Sequence, residues 1–367
     1  MTGRQRARPA LLALAIAACL FAGCDDATKP PQGAKGGSQK VSSPLAAKAQ
    51  ARVDLVWPTP NKAYLSGEGM ERFVQPTESG ELLSGLFGSV RSGGRQFHEG
   101  LDLFPLERDR KGEPVDPVFA AMAGVVRHIS SREGASSYGR YVVLEHPEQS
   151  PPVYSLYAHL SRISPTLRVG QGVSAGESIG TMGRSAGGYT IPKQRAHLHF
   201  EIGLRVTDRF QEWYKARGFG SPNEHGLWNG MNLMGLDPLA FFARSRAGGL
   251  HSLDEIFTAT PQALTLRIAE PGEPDFVRRY PSLVSPSTGS GAGWEVAFSA
   301  TGVPLRWRRL DATEIPGWKR GEIRIDKVDT ELLRTNRGRK LVEMRRGEPR
   351  PGDDLRSVLE QLWGARR

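Results

Sequence analysis

Two histidines stand one residue apart in RAHLHFEI, residues 195–202, where His197, His199 and Glu201 alternate with Leu198, Phe200 and Ile202. A period of two marks a strand with one polar and one apolar face. Both imidazoles then share a face, with Cβ atoms about 6.5 to 7 Å apart. At that spacing one can ligate a metal while the other reaches something held by that metal; a solvated strand face is the alternative, because imidazole titrates near neutrality and is content in water. A second pair lies in FHEGLDLF, where His98 and Asp102 are four residues apart. A straight strand would separate them by roughly 13 Å, so the chain must bend between them to bring both to one ion. Gly100 permits the bend, and Gly100, its β-prone neighbours and Pro105 speak against a helix. Imidazole and carboxylate are ordinary zinc ligands, and a third histidine with one water completes a tetrahedral catalytic site. His199 is the candidate third ligand. Two neutral imidazoles and one carboxylate leave about one net positive charge on a zinc complex, enough to acidify a water and polarise a carbonyl. His159, in YSLYAHLS, is expected on the polar face of its own strand with Tyr157. His159 and His197 can then contact the attacking water or the oxyanion.

These groups need strands to position them, and the surrounding sequence supplies them. PVFAAMAGVVRHI, GRYVVLEH, VYSLYAHL, GESIGTMG and AHLHFEIGL are short alternating or apolar segments separated by Gly and Pro, which number 43 and 26 in the chain. That pattern predicts an antiparallel sheet or sandwich. No G-x-G-x-x-G stands between a strand and a helix and there is no P-loop, so nucleotide chemistry has no support. From about residue 249 a second region begins, in which His251 is the only histidine. GWEVAFSATGVPLRWRRL reads as a hairpin, and DDLRSVLEQLW as a helix with Leu355, Val358, Leu359 and Leu362 on one face. His128, His146 and His225 are off-motif and are expected to be structural or solvated.

FHEGLDL, SLYAHLS, VGQGVSAGESIGTMGRS and HLHFEI, in that order and closing with LDPLAFF, resemble the lysostaphin-type zinc peptidases that cut peptide bonds in bacterial cell walls. The resemblance covers roughly residues 84–242. It implies one zinc ion per chain, held by His98, Asp102 and His199, with His159 and His197 acting on the water and the transition state. It also implies antiparallel β-sheets forming a groove, and a peptidoglycan peptide as substrate, cut at a cross-link ending in D-alanine or in a glycine bridge. The fold class expected is therefore mainly β: a metallopeptidase domain over residues 54–245, and a smaller β-rich region of unknown role over 249–367 that ends in a helix. Some members of this family have lost ligands and act by activating other wall hydrolases. Here all five positions are filled, which favours catalysis over that regulatory alternative. No H-E-x-x-H is present to suggest another zinc hydrolase. The chain departs from the family in two inserts, residues 186–196 with Lys193 and Arg195, and residues 204–232 with Trp213, Tyr214, Phe219 and Trp228. Both can be groove walls, or the aromatics can serve local packing.

The N-terminus gives an address. Arg4, Arg6 and Arg8 precede an uncharged apolar run from Leu11 to Ala22, too short to span a bilayer comfortably, as in an export signal. LFAGC, with Ala22 and Gly23 before Cys24, resembles the lipobox of bacterial lipoproteins, which implies a signal over 1–23 and an acylated Cys24. An ordinary secreted protein cut after Ala22 or Gly23 is the alternative. Cys19 leaves with the signal, so no disulfide is expected. The signal takes three positive charges with it, and the formal charge falls from +10 to +7. A basic exported protein suits anionic wall polymers and lipid headgroups, not nucleic acid. Residues 24–53, rich in Lys, Ser, Gly, Pro and Ala, are expected to form a disordered tether with a mean span near ~30 Å and a stretched limit near ~90 Å.

Overall fold

In the computed structural model, residues 52–286 and 291–364 are described; Cys24, the export signal and nearly all of the expected tether lie outside the described residues. Twelve strands make up the part that carries the motifs: β1 Gly88–Arg91, β2 Gln96–His98, β3 Leu101–Leu103, β4 Pro117–Phe119, β5 Gly124–Ser130, β6 Tyr141–His146, β7 Val153–Ala158, β8 Arg162–Ile163, β9 Gly172–Val173, β10 Ser178–Thr181, β11 Leu198–Arg205 and β12 Leu233–Leu236. The widest sheet runs β12-β11-β7-β6-β5-β9, all antiparallel, with β3 added beside β12 on the same edge of β11. A smaller sheet, β4-β10-β8, and the hairpin β1-β2 complete this part. The chain is mainly β, and each apolar or alternating segment singled out above contains a strand.

The alternation in β11 divides its two faces as the sequence requires. Leu198, Phe200, Ile202 and Leu204 enter the main apolar core beside Val142, Leu144 and Tyr157, each such burial contributing roughly 1.5–3 kcal/mol. His199 and Glu201 take the opposite face. The bend after His98 forms where Gly100 lies flat against β11: a Cβ there would stand 2.4 Å from the Phe200 carbonyl oxygen and 3.0 Å from His199 Cε1. Only glycine lets the two backbones meet this closely. The turn feeds β3 into register with β11, so that Asp102 pairs directly with His199. Helix α1, Phe210–Arg217, lies in the second insert, and α2, Pro238–Arg246, is the LDPLAFF stretch. Asp237 caps α2 by accepting from Leu239 N at 3.0 Å, with Pro238 in its first turn.

The remaining elements are α3 Asp254–Ala259, β13 Gln262–Ile268, α4 Asp275–Arg279, β14 Gly293–Ser299, β15 Pro304–Leu310, β16 Ile323–Val328, α5 Thr330–Thr335, β17 Val342–Arg345, β18 Glu348–Pro351 and α6 Asp353–Trp363. They form an antiparallel sheet β15-β14-β13-β16 and a hairpin β17-β18. The predicted hairpin is β14-β15. Helix α6 buries Leu355, Val358, Leu359 and Leu362, the face its periodicity predicts. One apolar core joins both parts of the chain, from Trp57 through Phe200 and Phe242 to Trp307 and Leu362. Among the described residues no helix is long and apolar enough to cross a membrane.

Candidate metal centre

His98 ends β2, Asp102 sits in β3 and His199 in β11, and all three are buried. His98 Nε2, Asp102 Oδ1 and His199 Nδ1 form a triangle with sides of 3.0, 3.0 and 3.1 Å. Among the described residues this is the one group of three ligand-type side chains that could hold a metal. The protons on the two rings follow from their outer partners. His98 Nδ1 lies 2.7 Å from the Leu86 carbonyl oxygen. A carbonyl only accepts, so Nδ1 holds the proton and Nε2 points a lone pair inward. His199 Nε2 donates to Glu201 Oε1 at 2.9 Å, which turns the Nδ1 lone pair of the neutral ring inward as well. Three acceptors therefore face one point, an arrangement that needs a cation or a proton between them. The donor set, two imidazoles and a carboxylate, fits Zn2+.

The supports of this triangle come from distant parts of the chain. Arg91 Nη2 holds Asp102 Oδ2 at 2.6 Å, leaving Oδ1 for the centre. Burial works to raise the Asp102 carboxyl, but the neighbouring His98, His197 and His199 hold it well below the usual carboxylate range. Glu201 is buried and accepts from Tyr138 at 2.6 Å and Tyr154 at 2.7 Å. Burial opposes its charge, and His199 together with the two phenols keeps it ionised. Burial lowers His199, yet hydrogen bonds and charge from Asp102 and Glu201 push it up to about 9. A proton and a metal ion thus compete for Nδ1, and both are drawn there by the same carboxylates.

His159 and His197 form the other half of the site, their ring centroids 4.7 Å apart. His159 Nδ1 lies 2.8 Å from Ser185 O, and His197 Nδ1 2.6 Å from Arg195 O. Each ring is thereby fixed with Nδ1 protonated and Nε2 bare. His197 Nε2 stands 3.6 Å from Asp102 Oδ1, and the His159 ring lies 6.0 Å from that of His199. Burial lowers both, aided at His159 by the facing His197 and His199 and opposed at His197 by Asp102. Both stay neutral, and a neutral imidazole with an exposed lone pair is a proton acceptor.

The five residues singled out by sequence come together, with one correction to how they arrive. His159 does not sit on a polar strand face with Tyr157. Strand β7 ends at Ala158, and Tyr157 points into the core, where its hydroxyl accepts from Ala121 N at 2.7 Å. Simple alternation would send His159 the same way. Instead His159 has φ of 60°, a left-handed conformation uncommon outside glycine, and this turns the imidazole to the metal side. Similarly, β11 begins at Leu198, and His197 is held by an isolated bridge to Gly183. Glu201, Tyr138, Tyr154 and Arg91 had no role in the sequence reading. For Glu201 the signal was available, because it shares the face of His199 two residues on. The off-motif histidines are structural: His146 is fully buried between Ala123 O and Ser155 Oγ, and His128 faces His225 at 3.4 Å. In the second insert Trp228 packs on Tyr141 and Tyr154, while Trp213 and Tyr214 pack on Phe210.

Residues 96–210 match the model of Peptidase family M23. The matched segment holds all five groups and spans less than half of the chain. The match ends inside α1, short of the LDPLAFF helix. Among solved structures, a zinc-containing peptidase from Vibrio cholerae is 28% identical over 29% of this chain and 26% of its own, with a TM-score of 0.22. The catalytic domain of the antimicrobial peptidase lysostaphin from Staphylococcus simulans is 20% identical over 43% of this chain and 87% of its own, with a TM-score of 0.26. Csd3 from Helicobacter pylori is 19% identical over 46% of this chain and 34% of its own, with a TM-score of 0.27. No curated protein matches the chain.

Proposed function

We propose that this protein is an exported zinc endopeptidase that hydrolyses peptide bonds in peptidoglycan stem peptides or cross-links. The observation that carries the reading is the convergence of three buried acceptors, from His98, Asp102 and His199, beside two neutral imidazoles with bare Nε2 atoms. His98, Asp102 and His199 would hold one Zn2+, which when bound polarises the scissile carbonyl and acidifies the attacking water. The chain's own residues do the proton work. His197 or His159 takes a proton from the water at Nε2 as its oxygen attacks the carbonyl carbon. The imidazolium so formed donates to the oxygen on which charge develops, and then delivers its proton to the departing amine as the C–N bond breaks. Ser185 O and Arg195 O keep each ring in the tautomer this requires.

A regulator that activates another hydrolase would need none of this order, whereas all five positions are filled and supported by Arg91, Glu201, Tyr138 and Tyr154. The basic, apolar and small-residue order of residues 1–23 supports export, and the LFAGC stretch supports a lipid anchor at Cys24 with residues 24–53 as tether. Mass spectrometry of peptidoglycan digested with the full chain tests the reading. New amino termini, released by the native chain and absent with His199→Ala, are expected and name the bond; full turnover by His199→Ala overturns it.

A further inference from the structure

His98 and Arg91 reach the metal centre from the hairpin β1-β2, which forms a sheet of its own and pairs with neither the wide sheet nor β4-β10-β8. A lone two-stranded hairpin is marginal in water and takes its order from what packs on it. This one must hold two groups in place: His98 Nε2 lies 3.1 Å from Asp102 Oδ1, and Arg91 Nη2 lies 2.6 Å from Asp102 Oδ2. The segment just before it supplies part of the hold. Arg91 Nε donates to Ser84 O at 3.0 Å, and His98 Nδ1 to Leu86 O at 2.7 Å.

Three consecutive residues of the C-terminal part, between α5 and β17, supply more. Arg337 Nη2 donates to Gly93 O, in the turn of the hairpin, at 3.2 Å. Gly338 N donates to Ser89 Oγ in β1 at 3.0 Å. Arg339 lays its guanidinium 4.2 Å from the centroid of the Phe97 ring in β2 and pairs with Glu99 at 3.4 Å. It thereby grips the residues on both sides of His98. Gly338 lets the two backbones meet: a Cβ there would stand 2.8 Å from Phe97 N and 2.8 Å from Ser89 Oγ, well inside the ~3.5 Å of ordinary contact. Residues 337–339 bring no apolar side chain to the core that joins the two parts of the chain. What they contact is the hairpin.

We propose that residues 337–339 are positioning residues for the metal centre, clamping β1-β2 so that His98 and Arg91 meet Asp102. The C-terminal part thus acts on a site to which it contributes no ligand. Asp102 and His199 are fixed to each other by the pairing of β3 with β11, so a loosened hairpin displaces His98 from them, and the loss falls first on metal affinity. The inference rests on the peptidase reading only for its metal, and its test reads zinc binding instead of cleavage.

Zinc affinity of the full chain, measured by competition with a chromophoric chelator, tests the clamp. Arg339→Ala removes the ring contact and the ion pair, and Gly338→Ala sets a methyl group against the Phe97 amide. Each should weaken zinc affinity about 10- to 100-fold, the range for supports of a metal ligand. Arg324 is the matched control, because its guanidinium lies 4.3 Å from the Trp318 ring and pairs with Glu322 at 2.6 Å, the same two contacts made away from the hairpin. Arg324→Ala should keep the native affinity. Native affinity in Arg339→Ala, or an equal fall in Arg324→Ala, overturns the inference. A native chain that holds zinc and cuts no peptidoglycan, with Arg339→Ala holding it weakly, would sink the peptidase reading and leave the clamp standing; a native chain that cuts peptidoglycan, with Arg339→Ala holding zinc as tightly, would do the reverse.

Discussion

The polar face of β11 and the sheet β15-β14-β13-β16 both gather ionisable side chains, and they arrange them in opposite ways. On the C-terminal sheet, donors meet acceptors. Arg267 reaches Glu295 and Asp326, each at 2.9 Å, and Arg308 lies between Glu295 at 3.1 Å and Glu314 at 2.9 Å. These groups are partly exposed and need nothing further. On the face of β11, acceptors meet acceptors. Two imidazole lone pairs and a carboxylate oxygen face one another at about 3 Å in a buried place, where water cannot relieve them. The first pattern is complete as it stands, and the second is complete only with a metal ion or a proton at its centre. Counting charged residues would not separate the two regions; asking what each atom donates or accepts does.

The comparison can be broken most sharply at His159, which sits beside the acceptor triangle and outside it. His159→Ala should leave zinc content unchanged while lowering kcat by about 10²- to 10⁴-fold, the usual worth of a positioned base. Loss of zinc together with activity would merge the two halves of the site. His146 supplies a buried histidine of the satisfied kind, pushed down to about 4 by burial against the pull of its bond to Ala123 O. It stays neutral in the folded chain, while in the unfolded chain it takes a proton near pH 6.5. Its contribution is therefore full above about pH 6.5 and lost as the pH falls toward 4, roughly 3 kcal/mol in all. Urea midpoints at pH 7 and pH 4.5 should show that loss, and it should shrink in His146→Gln; an equal loss in the variant would assign it elsewhere.

Glu201→Gln tests the support beneath the triangle. Removing the charge that orients His199 Nε2–H should weaken zinc affinity about 10- to 100-fold, read by competition with a chromophoric chelator, with little change in the melting temperature of the chelator-treated protein. An unchanged affinity would reduce Glu201 to packing. The smallest effect belongs to the complete pattern: Arg267→Ala should cost under ~1 kcal/mol in urea denaturation, since partly exposed pairs contribute little, and a larger cost would mean that the C-terminal sheet depends on its ion pairs after all.

Much of this site was legible in the sequence because strand alternation is strict. His199 and Glu201 had to share a face, and His98 and Asp102 could meet only through a bend, which Gly100 provides by lying against Phe200 O. The amphipathic face of α6 was legible for the same reason, its period being fixed by helical geometry. His159 was misplaced on its strand because alternation assumes extended backbone, and its φ of 60° breaks that assumption at the last step. Arg91, Tyr138 and Tyr154 were illegible for a different reason. They reach Asp102 and Glu201 from β1, from the turn before β6 and from β7, and only the sheet order brings those elements together. The contacts of Gly338 and Arg339 with Ser89 and Glu99 join stretches 240 or more residues apart with no common motif.

The central claim is that the triangle of His98, Asp102 and His199 is a metal site. Zinc content of the dialysed full chain, measured beside that of Asp102→Asn, tests it most directly, because asparagine keeps the size of the side chain and removes the charge. The account predicts about one zinc per native chain and essentially none in the variant. A native chain that retains no zinc, or a variant that holds it as tightly as the native chain, would contradict it.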